Sequence, residues 1–183
     1  MSNVEAPPVP NLAVDTELER LRRVRRWAVV WTKPRCERCV QEFFERADVP
    51  CFLPLSSRRK SFPSGVKVWT APLFSSYVFF DQDAMERHRV FESRKAVEVL
   101  APDDSAALSA DLLRIAAALE RDPSLRASRF SGVGRRVQVN RGPLKGLCGE
   151  FVRSGAESLL ILRVDFLGKA AELAIDEACV DPE

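Results

Sequence analysis

The run Tyr77-Val-Phe-Phe80 constrains the fold more than any other stretch of the chain. Aromatic and β-branched residues favour a strand, and Pro72 closes the segment before it. Side chains of a strand alternate between its faces, so Tyr77 and Phe79 take one side and Val78 and Phe80 the other. With no polar residue in the run, both faces meet something apolar. One face builds a core. The other either lies under a helix or awaits a partner.

The neighbouring stretches set the frame. Residues 1–14 hold Pro7, Pro8 and Pro10 without a period and read as a flexible tail. Asp15 caps a short basic helix to Arg26, completing a region of tail and helix over 1–24. Residues 27–32 read as a strand. Residues 35–47 read as a helix, with Cys36, Val40, Phe43, Phe44 and Ala47 forming one apolar stripe. A short strand at 49–55, a basic excursion from Arg58 that turns near Gly65, and a return over 66–70 lead into the opening run. A short helix from Asp83, a strand at 96–100 and a helix capped by Ser105 and running to Arg121 follow. This order predicts an α+β domain over 25–121, an antiparallel sheet with helices against it.

Residues 122–131 lack periodicity and read as a linker. Beyond them the pattern changes to short alternating segments with glycine turns, the last closing near Cys179-Val180. Five such strands in residues 132–183 predict a small SH3-like β-barrel, because closure removes exposed edges.

Composition is that of a globular protein, 46% hydrophobic and 30% charged, so disorder is excluded for the bulk of the chain. The net charge of +2 conceals an asymmetry: residues 20–60 carry twelve cations against four acids. Such a basic stretch suits a polyanion or a solvated helix face. The polar, proline-rich start is unlike a signal peptide, and no apolar run reaches the ~20 residues that span a bilayer. Five cysteines, an odd number, do not make a disulfide framework, and a reducing, cytoplasmic setting is expected.

Catalytic signatures are sparse. Cys36-Glu-Arg-Cys39 is a C-x-x-C open to three readings: a redox pair, half of a zinc site, or a merely structural role, Cys36 lying in the apolar stripe. The sole histidine, His88, sits among Glu86, Arg87 and Arg89 with no nucleophile to serve. The glycines at 132, 134, 142, 146 and 149 are not followed by G-K-[ST]. No enzyme, cofactor or metal is expected. Trp27, Trp31, Trp69, Phe74, Tyr77, Phe79 and Phe80 are the informative set. Either helices cover them on both faces, or a surplus aromatic face rimmed by arginines docks a protein.

Trp27-Ala-Val-Val-Trp31, the helix after Lys33 and Pro72-Leu-Phe-Ser-Ser-Tyr-Val-Phe79 together resemble the N-terminal domain of the NusG family of transcription elongation factors. The family usually writes P-L-F-P-G-Y or P-L-F-P-N-Y where this chain has Ser75-Ser76. The stretch from Gly134 to Gly149 (Gly-Arg-Arg-Val-Gln-Val-Asn-Arg-Gly-Pro-Leu-Lys-Gly-Leu-Cys-Gly) resembles the KOW motif, and Phe166-Leu-Gly168 the turn before its last strands. Trp31-Thr-Lys33, Val49-Pro-Cys-Phe-Leu-Pro54 and Ser93-Arg94 are more similar to the specialised RfaH-like paralogues.

The resemblance implies a monomeric transcription elongation or antitermination factor that docks on the clamp helices of RNA polymerase and suppresses pausing. By position it implies polymerase contacts at Trp31, Phe74, Tyr77 and Phe79. Contacts with the non-template DNA strand fall on Lys33, Arg35, Arg38 and Arg94. Phe166, Leu167 and Gly168 would recruit a small-subunit ribosomal protein or a termination factor. The alternative is a KOW-type RNA-binding or ribosome-associated protein, whose first domain merely packs beside the KOW domain.

Overall fold

The computed structural model describes residues 16–183; the tail and Asp15 lie outside them. Helix α1 (Glu17–Arg23) starts at Thr16, whose hydroxyl accepts the Glu19 N–H while the Glu19 carboxylate accepts that of Thr16. This reciprocal pair is a capping box.

Strands β1 (Trp27–Thr32), β2 (Cys51–Phe52), β5 (Tyr77–Asp81) and β6 (Ala96–Leu100) form an antiparallel sheet in the order β2-β5-β1-β6. Helix α2 (Glu37–Arg46) covers one face. There Ala28, Val30, Val78 and Phe80 pack with Val40 and Phe44, and the Phe44 and Phe80 rings stack at 4.8 Å. The other face, with Trp27, Val29, Phe52 and Phe79, packs under α1 and α4 (Ser105–Arg121). The apolar run is therefore a central strand, and of the two open readings helix cover on both faces holds for Val78, Phe79 and Phe80. Short α3 (Arg87–Val90) and a 3₁₀ turn (Phe91–Ser93) lead to β6.

The cap of α4 differs from expectation. Asp104 accepts the Ala107 N–H at 2.9 Å, whereas the Ser105 hydroxyl accepts the Trp27 N–H at 2.8 Å. A carboxylate one residue earlier satisfies the helix start, so the serine is released to anchor the head of β1.

The basic excursion is itself a strand. β3 (Leu55–Phe62) and β4 (Gly65–Pro72) pair in register over eight residues each as a separate two-stranded ribbon, turning at Pro63-Ser64.

The C-terminal half forms a six-stranded sheet, β12-β8-β9-β10-β11-β7. It comprises β7 (Arg126–Ala127), β8 (Arg135–Val139), β9 (Cys148–Ser154), β10 (Glu157–Val164), β11 (Lys169–Ala174) and β12 (Val180–Pro182). The five expected strands are present, but among the described residues β12 and β7 do not pair, so no closed barrel forms. The reason is visible at β7. Arg126 and Ala127 occupy the free edge of β11, Leu125 is fully buried, and the Ser128 N–H bonds the Ala170 carbonyl. Arg126 and Ala127, inside the 122–131 segment expected to be a linker, are thus part of the sheet. One continuous core joins Leu112 and Ile115 of α4 to Leu160, Leu162 and Val164 of β10.

Candidate functional site

The helices leave one end of the first sheet open. Trp31 at the exit of β1 lies opposite Tyr77 at the entry of β5. Strand alternation puts both on the α4 face, beyond the part that Val29 and Phe79 bury against the helix. Trp31 is 43% exposed and Tyr77 half-buried. Phe74 and Phe79 are core residues, 3% and 0% exposed. Of the four aromatics expected at a polymerase interface, two reach the surface and two build the support beneath it.

Three loops converge on this end. The Thr32 N–H donates to the Ser76 carbonyl at 2.8 Å and the Lys33 N–H to the Lys95 carbonyl at 2.9 Å. The Lys33 ammonium caps the Arg94 carbonyl at 3.1 Å. Among the described residues, four non-glycine residues have positive φ, and Arg35 (62°), Ser76 (68°) and Arg94 (56°) are three of them. Left-handed backbone costs a residue with a side chain roughly 1–2 kcal/mol and persists only where surroundings impose it.

For Ser76 the imposing group is identifiable. Glu37, 6% exposed at the first turn of α2, accepts the Ser76 N–H at 2.7 Å. Ser75-Ser76 stands where the NusG resemblance leads one to expect proline-glycine or proline-asparagine, and a buried carboxylate holds the turn in the shape those residues favour. The sequence motif does not reveal Glu37, whose partner lies 39 positions away.

The four cations expected on DNA divide. Lys33, Arg35 and Arg94 are exposed around the Trp31 end. Arg38 is exposed too, but its guanidinium donates to the Thr70 hydroxyl at 2.8 Å and so faces the ribbon. Cys36 and Cys39 carry free thiols at the start of α2, and among the described residues no three His, Cys, Asp or Glu converge as metal ligands would.

In the C-terminal sheet, Phe166 is 39% exposed, Leu167 packs on the shared core, and Gly168 takes φ +57° to end the 3₁₀ turn Asp165–Leu167. This turn is seated on α4: buried Asp111 accepts the Asp165 N–H at 3.1 Å and pairs with Arg114. Burial pushes the Asp111 carboxyl above its ordinary value, against the opposing pull of the Arg114 hydrogen bond. Phe166 is the one ring of this turn free to meet a partner.

Among the described residues no helix is long and apolar enough to cross a membrane. A search of curated proteins finds no match for the chain. Residues 25–112, from just before β1 to the middle of α4, match the NusG family model, described as transcription termination factor nusG, and this supports NusG-family kinship for the part of the chain that holds the open aromatic end.

Proposed function

We propose that the protein is a transcription elongation or antitermination factor that acts by binding RNA polymerase, not by catalysis. The observation that carries this reading is the Trp31–Tyr77 pair, left open at the end of central strands otherwise covered on both faces, within the stretch similar to NusG. Paired aromatics on a rigid strand end are the anchors that dominate docking energies. The polymerase element that best fits them is the pair of clamp helices. Docking there would lay Lys33, Arg35 and Arg94 toward the non-template DNA strand, where cations add salt-sensitive affinity. Held across the cleft, the factor would suppress pausing. The C-terminal sheet, KOW-like in its Gly134–Gly149 stretch, would present Phe166 to a small-subunit ribosomal protein or a termination factor. The RfaH-like details point to a specialised rather than general factor.

The test is affinity for core RNA polymerase. Trp31→Ala and Tyr77→Ala are each expected to cost about 2 kcal/mol, roughly 30-fold. Phe74→Ala and Phe79→Ala are unsuitable, since they would open cavities in the core. A folded Trp31→Ala/Tyr77→Ala variant that binds polymerase as tightly as the parent would refute the assignment.

A further inference from the structure

The β3–β4 ribbon carries a second surface, which docking through Trp31 and Tyr77 does not use. Its register sets Arg58 opposite Trp69 and Lys60 opposite Lys67, with Phe62 paired to Gly65 at the tip. Cross-strand partners share a face, and so does every second residue along a strand. One face of the ribbon therefore presents Arg58, Lys60 and Lys67 interleaved with Trp69 and Phe62. The rings are 41% and 42% exposed, and the Lys60 ammonium lies 5.2 Å from the Phe62 ring centroid. Among the described residues none of these three cations has a carboxylate partner. Thr70, which holds Arg38, belongs to the opposite face, so this surface points away from α2.

The face does not end in open solvent. Its base lines a cleft of about 540 Å³, whose far wall is the C-terminal sheet and the segment before it, with Arg126, Asp122 and Ser124. That volume lies within the roughly 300–1,000 Å³ of ordinary ligand clefts. The Ser57 N–H, bonded to the Pro123 carbonyl at 2.6 Å, fixes the two walls to each other.

We propose that this cleft and the ribbon face beyond it bind single-stranded RNA. Cations spaced along a groove track a phosphate backbone, and rings between them stack unpaired bases. The sugar is specified by Asp122. Its carboxylate accepts both the N–H and the hydroxyl of Ser124, at 2.9 and 2.6 Å, and is met by no cation among the described residues. A carboxylate in a cationic groove repels phosphate but accepts a ribose 2′-hydroxyl, the group that separates RNA from DNA. The site needs no polymerase and is tested without it.

The experiment is fluorescence anisotropy of the full chain with labelled oligouridylate and with oligodeoxyuridylate of the same length. RNA is expected to bind tighter than DNA by about tenfold, and Trp69→Ala to weaken RNA by about tenfold or more. Lys60→Gln/Lys67→Gln, at exposed positions that spare the fold, should lower the slope of log affinity against log salt by about 1.4. Asp122→Asn should narrow the preference for RNA over DNA. Arg87→Gln, on α3, should change nothing. Absence of saturable binding at low salt, DNA bound as tightly as RNA, or an unchanged salt slope in the lysine pair would each overturn the proposal.

Discussion

Replacing Glu37 with alanine should loosen the turn that positions Tyr77. The loss has two parts. Ser76 loses a charged acceptor at 2.7 Å, and a hydrogen bond to a charged group contributes about 1.5–3 kcal/mol. The first turn of α2 loses its only acidic residue, a favourable partner of the helix dipole contributing about 0.3–1 kcal/mol. Ser76 is half-buried, so water replaces part of the bond, and about 2 kcal/mol is expected for Glu37→Ala. Glu37→Gln keeps an oxygen acceptor without the charge and should cost about half as much. Ser76→Gly works in the opposite direction. It removes roughly 1–2 kcal/mol of left-handed strain and returns about 0.4–1 kcal/mol to the unfolded chain, leaving a net gain of about 0.5–1 kcal/mol. Urea unfolding monitored by circular dichroism measures all three. A Glu37→Ala variant within 0.5 kcal/mol of the parent, or a destabilised Ser76→Gly, would show that the carboxylate does not hold this turn.

Two further outcomes are expected. Glu150 accepts N–H bonds from Nε and Nη2 of Arg163, at 2.7 and 2.9 Å, and from the Gly134 N–H, and the Arg163 bond holds its carboxyl below the ordinary 4.5. A lowered folded value gives stability that is present above pH 4.5 and lost as pH falls through the folded value. Glu150→Gln should therefore be less stable than the parent at neutral pH, with the gap closing in acid urea titrations. Burial, then the nearby Glu45 and Glu17, pushes the Cys51 thiol up to about 12, whereas Cys39 is exposed. Iodoacetamide at pH 8 should alkylate Cys39 well before Cys51, as read by peptide mass spectrometry.

Much of this fold is legible in the sequence, because local periodicity writes it. Strand β1 and the last residue of α4 fall where the pattern puts them, and alternation assigns Val78 and Phe80 to one face and Tyr77 and Phe79 to the other. Periodicity says which residues share a face but not what covers it. Hence Phe74 and Phe79 read equally well as anchors or as core, and only α4, arriving from much later in the chain, decides for core. Closure of the second sheet is likewise non-local: strand count and glycine turns give its strands, but the edge of β11 is taken by Arg126 and Ala127 from a segment without any pattern. The ribbon is legible in part: the turn near Gly65 and the alternating return over 66–70 stand in the pattern, whereas Arg58, Arg59 and Lys60 show no apolar alternation because neither face of the ribbon is buried along most of its length.

Helix α4 closes the first sheet and also floors the second, with Arg121 at its end donating to the Lys145 carbonyl at 2.9 Å. Leu112, Ile115, Leu160 and Leu162 are at most 1% exposed, so neither half keeps a complete interior without the other. The chain is accordingly two sheets by topology around one shared interior. A cut in the backbone after α4 would nick this protein without dividing it.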